Sequence, residues 1–280
     1  MTMNLHTILK SVEKPGRYTG GEWGQTIKDK NAVDVRFAFC FPDNYEIGMS
    51  NLGIRILYGV LNNEENVWCE RAYAPWPDME EKMREYGIPL YAHESGDPLS
   101  DFDIVGFTLQ YELCYTNVLN MLELGGIPLL ASERGENDPI IIGGGPCAYN
   151  AEPIADFFDV LDIGEGEEML PRFTRMYAKM KREGASRAEI LRATSHLDGF
   201  YVPALYEVEY GADGTISSFE PKYDDIPRTV QKQIIADLDS VYFPDKFVMP
   251  YIETVHDRIV PEVYRGCIRG CRFCQAGMIY

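Results

Sequence analysis

The sequence predicts an α/β fold: a doubly wound, five-stranded parallel sheet over residues 33–184, followed by a mixed α/β segment. Three observations predict it. Apolar runs rich in β-branched and aromatic residues alternate with helix-period segments. Glycines follow several strands and close several helices. No internal repeat or low-complexity tract interrupts the alternation.

The elements follow in order. VDVRFAFCF (33–41) reads as the first strand, and the turn-rich PDNYEIGMSN leads into a helix over Leu52–Leu61. WCERAYAP (68–75) is a shorter strand. PDMEEKMREYG (77–87) is an amphipathic helix with Met79, Met83 and Tyr86 on one face, closed by Gly87. DFDIVGFTL (101–109), PIIIGGGP (139–146) and DFFDVLDIG (156–164) supply three more strands. CYTNVLNMLELGG (114–126) and GEEMLPRFTRMYAKMKREG (166–184) supply helices. Ligands of such sheets sit beyond the carboxyl ends of the strands, so the loops after Phe41, Leu109, Ile142 and Ile163 share one mouth.

Past Gly184 the pattern changes. SRAEILRATSHL (186–197) is a short helix, and ALYEVEYGADGTISSFEPKY (204–223) alternates around Ala-Asp-Gly as a hairpin does. VQKQIIADL (230–238) fits one more strand. RIVPEVYRG (258–266) is expected to be a strand that delivers its end to Cys267. The expected organisation is a leader over 1–32, the sheet domain over 33–184, a linker with helix and hairpin over 185–250, and the start of a second domain over 251–280.

Forty-four acidic residues against 26 basic ones give a net charge of −18. Such a surface argues against nucleic acid and anionic lipid as partners. No stretch approaches the ~18 apolar residues of a spanning helix, and the N-terminus lacks a secretory pattern. The expected location is the cytoplasm. In a reducing compartment, clustered cysteines point to metal or catalysis rather than disulfides. Cys40, Cys69, Cys114 and Cys147 are scattered in apolar runs and read as buried small thiols. His6, His93, His196 and His256 are isolated and read as structural or exposed.

RGCIRGCRFCQAG is different. It sets Cys267, Cys271 and Cys274 at spacings of three residues and two, with Arg265, Arg269 and Arg272 interleaved. Thiolates hold soft metals and iron–sulfur clusters. Three of them leave one iron of a cubane open, or need a fourth ligand to close a zinc site, for which His256 is the nearest candidate. The arginines are expected to lower the thiol pKa values and offset cluster charge.

C-x3-C-x2-C after an expected strand, with Phe273 before the third cysteine, resembles the signature of the radical S-adenosylmethionine (SAM) enzymes. The resemblance implies the first strand of an incomplete β/α barrel. It also implies a 4Fe-4S cluster on Cys267, Cys271 and Cys274, SAM on the open iron, and Phe273 near the adenine. Reductive cleavage of SAM to a 5′-deoxyadenosyl radical would follow, fed by an electron donor such as flavodoxin or ferredoxin. It implies a chain truncated just after the motif, lacking its C-terminal barrel and inactive alone.

The sheet carries a second resemblance. Asp43, Tyr45 and Gly48 after the first strand, Thr108 after the third, and Gly143, Gly144 and Gly145 after the fourth are similar to the markers of cobalamin-binding domains. This implies a flavodoxin-like sheet with cobalamin as a candidate cofactor, its nucleotide tail threaded into the mouth. Tyr45 stands where that family has a cobalt-binding histidine, and a phenol near pKa 10 is a poor ligand. The bland reading of GGGP is a tight turn. Glu165 in DIGEGEE has a first-turn acid reading and a cofactor- or barrel-contact reading. The leader RYTGGEWGQTIKD, with FPDNYEIGMSNLG and GGGP, resembles a family of large bacterial radical SAM proteins fused to such a sheet. If cobalamin binds, methyl transfer is implied; otherwise another radical modification. A cofactor-binding module without catalysis and a zinc-stabilised interaction protein are the rival readings.

Overall fold

The computed structural model describes residues 5–256, 258 and 260–279. Its centre is a six-stranded sheet of β1 (Val35–Phe41), β2 (Val67–Tyr73), β3 (Ile104–Thr108), β4 (Ile140–Gly144), β5 (Val160–Asp162) and β6 (Phe200–Tyr201). The spatial order is β2-β1-β3-β4-β5-β6. The first five strands run parallel, and β6 lies antiparallel to β5. An order of 2-1-3-4-5 is the flavodoxin-like one, and its direction of winding switches between β1 and β3. The five expected strands are all present. The sixth is two residues long and too short to show a period of its own.

The α-helices are α1 (Leu5–Leu9), α2 (Tyr45–Gly48), α3 (Leu52–Asn63), α4 (Pro77–Tyr86), α5 (Tyr115–Leu124), α6 (Gly166–Arg182), α7 (Arg187–Thr194) and α8 (Ala276–Ile279). β1 shows why the sheet is double-sided. All seven of its residues are buried, as expected of a parallel strand covered on both faces. Phe37, Phe39 and Phe41 point into one layer, shared with Tyr58 of α3, Phe173 of α6 and Ile190 of α7. Ala38 and Cys40 point into the other, shared with Met79 and Met83 of α4 and Val118 of α5. Cys40, Cys69, Cys114 and Cys147 are all buried, as their apolar surroundings in sequence imply.

Phe173 is fully buried, 5.5 Å from the Phe200 ring centroid. Phe173→Ala leaves a hole against β6 that a packed layer fills poorly. It is expected to lower the unfolding free energy by about 3–5 kcal/mol in urea titrations. A loss under about 1 kcal/mol would show that the layer collapses around the gap.

The hairpin expected over 204–223 is present as β7 (Tyr206–Tyr210) and β8 (Ile216–Pro221). Tyr201, Tyr206 and Phe219 pack ring against ring and fasten it to β6. Two other strand expectations are corrected. Segment 230–238 forms one bridge, Gly164 to Gln233, and then leaves the sheet because the Glu165 carboxylate takes the Ile235 N–H that a ladder would use. The described residues of 258–266 form no strand. Val263 and Tyr264 are exposed there, so no neighbouring strand covers them. Among the described residues, no helix is long and apolar enough to cross a membrane.

Candidate cofactor cavity and cysteine loop

The carboxyl ends of β3, β4 and β5 and the start of α6 enclose a cavity of about 240 Å3. Its floor is Phe37, Phe39 and Ile142, and Leu57 and Leu170 form a wall. Thr108 lines it at the end of β3, and Gly144 and Gly145 at the end of β4. The two loops are laced together: Leu109 N–H donates to Gly144 O at 2.6 Å and Cys147 N–H to Leu109 O at 3.0 Å. The two glycines have different reasons. Gly145 has φ of +106°, a left-handed value that side chains resist. A Cβ on Gly144 would lie 1.8 Å from Asp162 Oδ1.

The expected site residues therefore separate into two groups. Thr108, Gly144, Gly145 and Glu165 line the cavity together. Gly143 does not; its missing side chain makes room for the Phe158 ring. Asp43, Tyr45 and Gly48 lie outside the cavity lining. Asp43 accepts a hydrogen bond from the Tyr111 hydroxyl at 2.6 Å. Gly48 packs against the Tyr73 ring. Tyr45 is buried, stacks on His93, and donates to Glu22 Oε1 at 2.9 Å. Burial and the neighbouring Glu22 carboxylate push the Tyr45 phenol above its ordinary pKa, so it stays protonated. Its place is a knot with the leader, where Glu22 also pairs with Arg71 at 3.0 Å.

Glu165 is the residue before α6, and its carboxylate faces Arg265 Nη1 at 3.4 Å. Arg265 also meets Glu167, and its Nε lies 2.8 Å from Glu262. Hydrogen bonds to Glu262 and Glu167 raise the guanidinium pKa despite partial burial. This corrects the expected role of Arg265. Its charge is taken up by three carboxylates, and it pins the segment before Cys267 to the cavity rim. A second cavity, of about 540 Å3, shares Gly145, Gly164, Glu165 and Arg265 with the first and reaches Gly266.

Cys267, Cys271 and Cys274 are free and exposed beyond that point. Gly266 and Gly270 take left-handed φ values, and Cys274 N–H donates to Cys271 O at 3.1 Å. Phe273 is 91% exposed. Among the described residues, no three His, Cys, Asp or Glu side chains converge as metal ligands; His256 is exposed, and its backbone N–H donates to Ser50 Oγ. By donor chemistry the loop still fits an iron–sulfur cluster: three accessible thiols on a glycine-jointed turn that can close around it.

Two residues here escaped the sequence reading. Asp162 ends β5 and lines the inner cavity with a buried carboxyl. An acid as the last residue of a buried strand was the available signal. Arg265 as a rim anchor had no local signal, because its partners lie about a hundred residues upstream in Glu165 and Glu167.

A doubly wound sheet with a glycine-rimmed cavity at its carboxyl edge belongs to the class of α/β domains that take ligands there. Residues 53–203 match the family model described as radical SAM proteins, N-terminal, more than half of the chain, and the chain belongs to that family. The uncharacterized protein MJ0966 of Methanocaldococcus jannaschii is 26% identical over 249 residues, covering 87% of this chain and 41% of that protein. The chain thus spans about two fifths of the length of the curated relative it matches. The structure of the radical SAM methyltransferase TsrM from Kitasatospora setae, with tryptophan and a SAM analogue bound, aligns with a TM-score of 0.35 and 13% identity. That alignment covers 64% of this chain and 29% of TsrM.

Proposed function

We propose that this chain is the cofactor-holding and cluster-holding part of a radical SAM enzyme. Cys267, Cys271 and Cys274 would hold a 4Fe-4S cluster, with Phe273 beside the SAM adenine. The inner cavity would hold a cofactor group, with cobalamin as the candidate. The rest of a β/α barrel and an electron donor such as flavodoxin or ferredoxin would complete the system.

The observation that carries this reading is the shared wall. The outer cavity runs from Gly145 and Gly164, at the sheet edge, to Gly266 beside Cys267. Family membership supports the same reading. When bound, the cluster supplies the electron that cleaves SAM reductively. The chain's own residues do the rest. Arg265, fixed by Glu165, Glu167 and Glu262, holds the start of the cysteine loop over the sheet. Phe37, Phe39, Ile142 and Leu170 exclude water from the inner cavity. Thr108 presents a hydroxyl there, engaged by the Gln110 side chain. A cofactor with a transferable methyl group in this cavity would make the reaction a methyl transfer; without one, another radical modification follows.

The test is metal content. The chain is reconstituted without oxygen, and iron, sulfide, zinc and cobalt are measured per chain. About four irons and four sulfides are expected, falling to background in Cys271→Ala. Stoichiometric zinc without iron would overturn the cluster. Cobalt retained after incubation with cobalamin and desalting supports the cobalamin assignment, and none retained removes it.

A further inference from the structure

Helix α3 turns one face to the inner cavity and another away from it. Leu52, Ile56 and Leu57 line the inner cavity, whereas Arg55, Tyr58 and Asn62, spaced by three and four residues, line a separate one of about 210 Å3. The two share no lining residue. Segment 242–248 closes one side of the separate cavity. Its Tyr242 packs on Gly59, and its Phe247 ring centroid lies 5.4 Å from the Arg55 guanidinium.

Arg55 is half-buried, and its charge is unanswered. The buried arginines Arg17, Arg36, Arg71 and Arg134 each face a carboxylate at 3.0 Å or less. Among the described residues Arg55 faces none. Its Nε and Nη2 donate to the Met49 carbonyl, the first at 2.8 Å, and its Nη1 makes no hydrogen bond among the described residues. Arg17 Nη1 is sealed in the protein without a partner; Arg55 Nη1 stays accessible. Burial works against the Arg55 charge, Arg71 adds to that, and the nearby Tyr73 and Tyr45 phenols oppose it; the pKa is lowered on balance. A guanidinium stays ionised all the same, so this one lacks a counter-charge.

The rest of the lining does not supply one. Arg71 is neutralised by Glu22 and Glu94. Asp245 and Lys246 are both exposed and cancel in charge. Tyr58 accepts the Thr26 N–H at 2.7 Å, Tyr73 donates to Met49 Sδ at 3.0 Å, and the Asn62 amide is spent on the Cys69 backbone. Thr26, Asn63 and Tyr242 add side-chain donors to the lining.

We propose that this cavity is a second ligand site, which takes a small organic carboxylate on Arg55 and holds its apolar body among the rings of Tyr58, Tyr242 and Phe247. Met49 occupies the Nε–Nη2 edge of the guanidinium, and the Nη1–Nη2 edge left over matches the two oxygens of a carboxylate. The volume suits a single ring and is too small for a nucleotide. An occupant would bridge α3 and segment 242–248, at a distance in sequence from the cysteine loop and independently of what the inner cavity holds.

The probe is benzoate, titrated into the purified chain by calorimetry at about pH 7.5, where it is fully ionised, and about 50 mM salt. The expected Kd is about 1 mM or tighter. Benzamide, the same ring without the charge, and inorganic phosphate, the charge without the ring, are each expected to bind about tenfold or more weakly. Arg55→Met is expected to weaken benzoate by about tenfold or more, and Arg55→Lys, which keeps the charge and loses the fork, by about fivefold. Phe247→Ala, a change in a half-buried surface segment that tests the site without touching the guanidinium, is expected to weaken it by about fivefold. Urea midpoints establish that each variant is folded. Absence of benzoate binding, equal affinity for benzamide or phosphate, or unchanged affinity in folded Arg55→Met or in Phe247→Ala would each overturn the inference.

Discussion

Arg71→Met is expected to lower the unfolding free energy by about 3–5 kcal/mol and the Tm by roughly 6–20 °C. Arg71 is 3% exposed and serves two buried acids. Its Nη2 lies 3.0 Å from Glu22 and its Nε 2.7 Å from Glu94. Glu94 also accepts the Arg71 backbone N–H at 2.7 Å. Burial works against the Glu22 carboxylate, yet Arg71, His93 and Tyr45 hold its pKa below the ordinary value. Methionine fills much of the volume but strands both carboxylates. The triple change Arg71→Met, Glu22→Gln and Glu94→Gln is expected to recover much of the loss, because the stranded charges are gone. Equal stability of wild type and the single variant in urea would show that the acids reach water. The leader is expected to loosen around Glu22 in the single variant while staying attached to β2 through Lys28, which donates to the Val67 carbonyl, and Thr26, whose carbonyl accepts from the Trp68 indole.

The second large effect is a pair of opposed pH dependences. His93 is buried, and burial pushes its pKa from 6.5 down to about 4 despite Glu22, with Arg71 adding to the drop. Tyr45, Tyr73, Glu22 and Arg71 face it. The unfolded chain binds the proton more readily, so stability is full above about 6.5 and falls as pH drops toward 4. The shift corresponds to about 3 kcal/mol. Asp162 runs the other way. Its folded pKa of about 7 lies above the unfolded 3.8, so stability is full below 3.8 and falls by about 4 kcal/mol as pH rises to 7. Between pH 4 and 6.5 the two contributions largely cancel in wild type. Asp162→Asn is expected to unmask His93, making stability rise with pH relative to wild type, and to be the more stable chain above pH 7. His93→Gln is expected to unmask Asp162. Superimposable urea midpoints across pH 4–8 for wild type and Asp162→Asn would sink the assignment. A fold that is stabilised by losing a carboxyl is keeping that carboxyl for something other than stability.

Much of the fold was legible because the parallel strands are buried on both faces, and the longer ones are rich in β-branched and aromatic residues. Segment 230–238 misled because Val230, Ile234 and Ile235 are β-branched, while the decisive competitor, the Glu165 carboxylate, comes from far away in sequence. The cavity was half legible. Thr108, Gly144 and Gly145 carry local signals, a polar or flexible residue just past a buried strand. Asp162 is spelled no differently from Asp159, yet Asp159 is paired with Arg134 at 2.9 Å and Arg187 at 2.7 Å, whereas Asp162 Oδ1 has no partner among the described residues. That difference is made by tertiary packing alone. FPDNYEIG reads as a ligand loop until Glu22 arrives from the leader and claims the Tyr45 hydroxyl.

Gly143 and Gly144 are adjacent and identical, but they answer to different selections. A side chain at Gly143 would press on the Phe158 ring at 2.7 Å and on Leu161 at 2.9 Å, overfilling a packed layer. One at Gly144 would meet the Asp162 carboxyl first, the end of a side chain rather than a packed ring. A library screened for soluble protein should therefore purge substitutions at the first position and pass small ones at the second. The same library screened for ligand retention should purge both, so the ratio of the two screens separates architecture from recognition at neighbouring codons.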